Sequence, residues 1–234
     1  MIIGPTVATW HENELTLSAE LIHSFVCTVE SQTAESIGLY RRDRQTVVEE
    51  YEDGDRTFAE SIEVYRGLRS DTWDVNSLFE KHFPNLQRRS AFLTIWGYFE
   101  HELDKLCSLY KEEKHFSLDF SDINGTGIDR STRYLEKVAG LDVQYNSPEW
   151  KEIKTIRNLR NKIAHQDGRL VTMKGDPALD LIAYVERSPF LEKDGEVIVL
   201  QEGFLKFVVD LFGAYFTLLG SSIREKVRTG HVRS

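Results

Sequence analysis

A six-residue stretch in the C-terminal half of the chain combines side chains that could handle a phosphate group. Arg160, Asn161 and His165 fall within two turns of one predicted helix, which begins near Pro148 and ends at Asp167-Gly168. A guanidinium can hold the non-bridging oxygens of a phosphate as negative charge builds, and an imidazole can move a proton near neutral pH. These groups suit cleavage of RNA by its own 2′-hydroxyl, a reaction that requires no metal.

The helical positions bring Arg160 next to the core. At 100° per residue it falls within the arc of the apolar stripe of this helix. That stripe consists of Ile153, Ile156, Leu159 and Ile163. Arg157, Asn161 and His165 border the stripe at four-residue spacing. Because an unpaired guanidinium is costly to desolvate, Arg160 must find an anion or several acceptors. Arg157 and Lys162 are candidates to steer RNA, and ordinary solvated helix charges are the alternative.

A purely structural role is the other interpretation of this cluster. Arg160 could pair with Glu100 or Glu102 of the preceding core helix, and His165 could bond a backbone carbonyl. Ion pairs and hydrogen-bonded histidines are far commoner than catalytic ones. Glu100 is also a candidate to orient His165 or to bind Arg160. The spacing alone leaves both interpretations open.

Composition limits the classes of protein to consider. The 234 residues carry a net charge of -9, which argues against coating nucleic acid by bulk charge but leaves a local basic site open. Cys27 and Cys107 have no metal-ligand spacing, so we expect a reduced cytoplasmic compartment, no metal and no cofactor. The longest uncharged apolar run, Leu211–Ile223, is shorter than the roughly 20 residues that cross a bilayer, so no membrane association is expected.

Apolar periodicity predicts a mostly helical chain with a central core helix over Leu86–Lys114. Before it we expect a helical extension over residues 1–80. Its predicted parts are one or two helices within Glu14–Glu52, a short helix over Thr57–Leu68, and another through Leu78-Phe79 that stops at Pro84. A single domain over residues 1–234 is favoured by the chain length.

The core bundle is expected to cover residues 85–225. It contains a short helix over Arg130–Val138, the helix that carries Arg160, and a closing apolar helix over Glu202–Arg228. Two β-prone runs, Leu181–Val185 and Glu196–Leu200, predict a small hairpin before the closing helix.

The run Arg160-Asn161-Lys162-Ile163-Ala164-His165 resembles the R-N-x-x-x-H motif of the HEPN superfamily, and the order of predicted helices over residues 85–225 agrees with it. Members of that superfamily are typically α-helical bundles that dimerise with their motif helices facing each other across one composite cleft. Many are metal-independent endoribonucleases, frequently toxins or defence effectors against phage. Others have lost activity and only bind nucleotides or partners.

The resemblance implies an all-α, antiparallel helical bundle that forms a homodimer through the motif helix. Arg160 and His165 would be its catalytic pair, and Asn161 would orient the substrate or His165. RNA would be the substrate, and an antitoxin or sensor protein is an expected partner. A catalytically inactive module that binds a nucleotide or a partner is the alternative. The N-terminal extension and the hairpin depart from the simplest members of the superfamily.

Overall fold

The computed structural model describes residues 6–172 and 174–231. It is mostly helical, at 64%, with a small two-stranded sheet before the last helix, as expected. The helices are α1 Leu15–Asp43, α2 Val75–Ser77, α3 Phe83–Lys114, α4 Gly127–Lys137, α5 Pro148–Gln166, α6 Leu179–Arg187 and α7 Phe204–His231. The strands are β1 Gln45–Asp53, β2 Arg56–Tyr65, β3 Leu68–Arg69, β4 Leu191–Asp194 and β5 Val197–Leu200.

Helix α3 forms the centre of the main hydrophobic core, as predicted for Leu86–Lys114. It completely buries Phe92, Phe99 and Leu106 and packs against α1, α4, α5 and α7. Phe99 stacks on Phe212 of α7 with ring centroids 4.0 Å apart. The predicted closing helix is confirmed as α7, and the predicted short helix before α5 is confirmed as α4.

The expected helix stop at Pro84 is wrong. From α2 the chain continues through a π-helical turn, Leu78–His82, directly into α3. Pro84 lies in the first turn of α3, and the Phe83 N–H bonds the Leu78 carbonyl five residues back. A π-helical turn shifts the hydrogen-bonding pattern, which lets the helix continue past a residue that has no N–H donor.

The helical extension predicted for residues 1–80 is confirmed within the described part, residues 6–80, for α1 and for the short helix through Leu78-Phe79, which corresponds to α2 and the π-helical turn after it. The rest of the Glu14–Glu52 segment and the predicted helix over Thr57–Leu68 form an antiparallel hairpin of β1 and β2. The two strands pair from Gln45 opposite Val64 to Asp53 opposite Arg56.

Local sequence explains this error. Phe58, Ile62 and Tyr65 fit helical spacing, but the two-residue turn after Asp53 contains Gly54 at φ 63°, a conformation that favours a tight hairpin. Only the root of the hairpin is buried. Tyr65 packs there in a second, smaller core with Tyr40, Val75, Leu68 and Phe79.

The hairpin expected before the closing helix is present, but its first strand was misplaced. The run Leu181–Val185 lies in α6, because Leu181 and Val185 are four residues apart and both are buried in the main core. Strands β4 and β5 form the hairpin instead. Asn85 of α3 holds β5, since its side chain donates to the Ile198 carbonyl and accepts from the Leu200 N–H.

Helix α5 has the predicted bounds. The Ser147 hydroxyl accepts a hydrogen bond from the Trp150 N–H at 3.0 Å, and Pro148 follows in the first turn. The helix ends where Asp167 and Gly168 adopt φ values of 52° and 73°. The residues of the predicted site are therefore fixed to one regular helix.

One segment of α7, Phe204–Thr229, is long and apolar enough to cross a membrane by length and composition within the described residues. Half of its most apolar window is buried against the rest of the molecule. A core helix passes the same test, so the expectation of no membrane association stays a prediction.

Replacing the helix cap tests how α5 is positioned. Ser147→Ala removes the acceptor for the Trp150 N–H, and we expect the free energy of unfolding to fall by about 1 kcal/mol in urea titration. Ser147→Asp keeps an acceptor and should retain the stability. Equal stability of the alanine variant and the parent would contradict this role.

Candidate functional site

A cavity of about 400 Å³ lies between α3, the N-terminus of α4 and α5. We call it the arginine cavity. Its lining residues are Trp96, Glu100, Thr126, Gly127, Ile128, Asp129, Arg157, Arg160 and Asn161. Three predicted site residues of α5 therefore share one cavity with Glu100 of α3.

Arg160 is half-buried in this cavity and lacks an acidic partner. Its Nη1 donates to the Asn161 Oδ1 at 3.2 Å, and its buried Nε has no hydrogen-bond partner. Among residues 6–172 and 174–231, no carboxylate lies within 4.0 Å of its guanidinium. Glu102 is 1% exposed and pairs with Lys105 instead. The structural alternative of an Arg160 ion pair with Glu100 or Glu102 is therefore not realised.

Arg157 differs from Arg160 because it already has an anion. Its Nη1 lies 2.5 Å from the Oδ2 of Asp129, in the first turn of α4. The Arg157 side chain is 26% exposed and the Asp129 side chain 48% exposed. Water at the cavity mouth screens such a pair, so an external anion can compete with Asp129 for Arg157.

Glu100 points toward the N-terminus of α4 rather than forming an ion pair with Arg160. A Cβ added at Gly127 would collide with the Glu100 Oε1, which places this carboxylate against the first residue of α4. Thr126 precedes that residue and makes no side-chain capping hydrogen bond. The positive end of the α4 dipole therefore faces the same cavity as the two guanidinium groups.

His165 lies outside the arginine cavity. It is exposed and lines a second depression of about 420 Å³. The other residues there are Gln166, Asp167, Arg169, Val171 and Thr172. The Asn161 side chain lines the arginine cavity, where its Oδ1 accepts a hydrogen bond from Arg160. One copy of the chain consequently does not bring Arg160 and His165 into a common cavity.

Lys162 has internal acceptors. Its Nζ donates to the Gln166 Oε1 at 2.7 Å and to the Val171 carbonyl. It thus ties the end of α5 to the segment that follows Gly168. The expected contribution of Lys162 to steering RNA would require these contacts to be replaced.

The solvent-exposed side of α5 is basic although the whole chain is acidic. Five basic residues and two acidic ones give α5 a net charge of +3, against -9 for the chain. Its exposed positions form a stripe, which we call the α5 stripe. Beyond Pro148 in the first turn, they are Lys151, Lys154, Asn158, Asn161, Ala164 and His165. The overall charge of the chain did not exclude a local basic site, and α5, the helix that carries the motif, provides one.

The buried side of α5 packs against α7 and α3, and α6 contacts it at one edge. The Tyr184 hydroxyl donates to the Glu152 Oε1 at 2.5 Å. Burial, reinforced by this hydrogen bond, raises the pKa of Tyr184, so the phenol stays protonated at neutral pH. Because this contact is made by Glu152, which is not part of the α5 stripe, α6 does not cover the stripe.

Asp129 and the N-terminus of α4 are the parts of the site that sequence reasoning missed. Asp129 is 28 residues from its partner Arg157, and no spacing rule connects residues so far apart. The only available signal was the short loop that predicts a new helix start near Gly127.

No family model, curated protein or solved structure matches the chain. Function is therefore inferred from the geometry and charge of the site together with the six-residue motif.

Freeing Arg157 should increase anion binding. In Asp129→Asn the internal competitor loses its charge, so we expect affinity for inorganic pyrophosphate, measured by calorimetry, to rise about threefold or more. The exposed pair contributes little stability, so the free energy of unfolding should change by less than about 1 kcal/mol. Asp180→Asn, an exposed change on α6, is the control. Unchanged affinity in Asp129→Asn would exclude Asp129 as a competitor.

Proposed function

We propose that the protein is a metal-independent endoribonuclease of the HEPN type, acting as a toxin or anti-phage defence effector in the cytoplasm. The observation that carries the proposal is the half-buried Arg160, which has no anionic partner in the described part of the chain and lies at the rim of a basic helix face. An RNA phosphate would supply the missing anion.

Arg160 would bind the non-bridging oxygens of the scissile phosphate. Arg157 would join it once the phosphate displaces Asp129. The charge on these oxygens grows during attack by the 2′-hydroxyl, so donors fixed by three packed helices stabilise the transition state more than the free substrate.

His165 would move the protons. A neutral imidazole takes the proton of the 2′-hydroxyl as its oxygen attacks phosphorus, and the bond from phosphorus to the 5′-oxygen breaks. A protonated imidazole returns a proton to that leaving oxygen. The products are a 2′,3′-cyclic phosphate and a free 5′-hydroxyl. No metal or cofactor takes part in these steps.

A homodimer through α5 would complete the site. Since Arg160 and His165 line separate depressions within one copy, Arg160 of one copy would work with His165 of the partner copy. The exposed position of His165 at the end of α5 makes it available to a facing helix. An antiparallel HEPN-like bundle is part of this proposal. The resemblance of the motif also motivates the expected antitoxin or sensor partner.

The second candidate function is a catalytically inactive module that binds a nucleotide or a partner. It is favoured by the same separation of Arg160 from His165 within one copy. In that case the arginine cavity would hold a phosphate without cleaving its ester.

Cleavage in the presence of EDTA separates the two functions. We expect the parent protein to degrade a mixed RNA pool, with Arg160→Ala and His165→Ala each at least about a hundredfold slower. Lys206→Ala, an exposed change on α7, is the matched control. Intact RNA with the parent protein would support the binding module.

Mixing the two inactive variants tests the composite site. If each site takes Arg160 from one copy and His165 from the other, half of the randomly mixed dimers contain one intact site, and about a quarter of the parental activity returns. Mixtures as inactive as their components would show that the two residues do not act across a dimer.

A further inference from the structure

The hairpin of β1 and β2 projects into solvent with both faces uncovered. Every residue of β1 with a described side chain is exposed, and so are the first six residues of β2. A two-stranded hairpin without a covering layer is only marginally stable in water. The outer part of this hairpin, residues 45–61, therefore gains little from the body of its own chain.

The outer hairpin also exposes apolar side chains at its centre. Tyr51 and Phe58 stack with ring centroids 5.5 Å apart and are 52% and 40% exposed. Val47 and Val48 are 40% and 63% exposed. Aromatic side chains at the centre of a polar surface are typical anchors of protein interfaces.

The hairpin is strongly acidic around these anchors. Residues 45–61 contain six acidic residues and one basic residue, which gives a net charge of -5 in a chain whose total is -9. Glu49 lies directly opposite Glu60 across the strands, a repulsive arrangement. Arg69 lies 2.7 Å from Glu49, whereas Glu50, Glu52 and Glu60 form no ion pair within the described residues. A basic surface placed against the hairpin would relieve this repulsion.

We infer that the outer hairpin docks on the α5 stripe of a second copy of this chain. The stripe is a basic exposed surface with a small residue, Ala164, beside which an aromatic anchor can lie. The charges are complementary, at -5 for the hairpin and +2 for the stripe, from Lys151 and Lys154 with His165 neutral. Two copies can exchange hairpins about a two-fold axis, so the arrangement closes as a dimer. Each hairpin then covers Lys151, Lys154 and His165 of the other copy.

The consequence for activity rests on the proposed function. The dimer with exchanged hairpins would exclude RNA, since hairpin carboxylates occupy the face that the RNA phosphates require. Bringing two α5 stripes face to face opposes like charges, and RNA phosphates would offset that repulsion. The acidic hairpin is thus the favoured occupant of α5 until RNA competes for it.

Charge reversal on each surface tests the docking without RNA. Sedimentation equilibrium of the full chain at about 50 mM salt should show a dimer that weakens roughly tenfold or more near 0.5 M. The hairpin variant Glu50→Lys/Glu52→Lys/Glu60→Lys should associate at least about tenfold more weakly than the parent, and so should the stripe variant Lys151→Glu/Lys154→Glu. An equimolar mixture of the two variants should dimerise again, because both contacts of the mixed dimer regain opposite charges.

The control reverses three exposed charges elsewhere, Glu20→Lys/Glu112→Lys/Glu186→Lys, and should leave association near the parental value. Circular dichroism checks that every variant folds. A monomeric parent at low salt, a hairpin variant that associates like the parent, or variants that stay apart when mixed would each overturn the docking. RNA cleavage by Arg160 and His165 is measured separately, with RNA present, so failure of the docking and failure of the proposed function are distinguished.

Discussion

The arrangement of the site follows from one guanidinium that has no counter-ion among residues 6–172 and 174–231. Arg160 lies within the apolar arc of α5, its Nε is buried without a partner, and within the described residues its guanidinium donates to the neutral amide of Asn161 alone. Because the side chain is only half-buried, its guanidinium can be reached by an anion from solvent. Asp129 could have supplied one but pairs with Arg157 instead. Arg160 is therefore available to an external anion, and in the function that we propose this anion is an RNA phosphate.

The distribution of charge gives two exposed surfaces, the outer hairpin and the α5 stripe, opposite roles. Most of the negative charge excess lies on the outer hairpin, whereas α5 is locally positive. The total charge would suggest a protein that avoids nucleic acid, but local fields at a surface depend on nearby groups within about 10 Å at ordinary salt. An acidic chain can consequently present a basic helix to an anionic ligand, and in the docking that we propose its own hairpin competes for that helix.

The sequence predicted the parts of the fold that depend on strong periodicity and caps. Helix α3 has an uninterrupted apolar pattern, and α5 has Ser147, Pro148 and Gly168 at its ends. The secondary-structure predictions were wrong where the local pattern of apolar residues fits both a helix and a strand. Phe58, Ile62 and Tyr65 fit helical spacing, yet the turn at Gly54 made a hairpin. Leu181–Val185 is β-prone by composition, yet burial of Leu181 and Val185 on one side favours a helix.

For the site, the helical spacing placed Arg157, Asn161 and His165 along one border of the apolar stripe, and the structure brings the first two into one cavity with Arg160. It could not show that His165 faces a different depression, because that depression is formed with residues 166–172, which fold back after the helix. Nor could it identify Asp129, whose contact with Arg157 depends on the packing of α4 against α3. Such contacts are set by tertiary structure rather than by local pattern.

The most direct test of the external anion at Arg160 is RNA affinity measured as a function of salt. The ligand is a single-stranded RNA whose 2′-hydroxyls are methylated, because it cannot be cleaved by 2′-oxygen attack. We expect Arg160→Gln to bind at least about tenfold more weakly than the parent and to lower the slope of log affinity against log salt by about one. Equal affinity and equal slope for the two proteins would show that Arg160 contacts no phosphate, and the account of the site would be wrong.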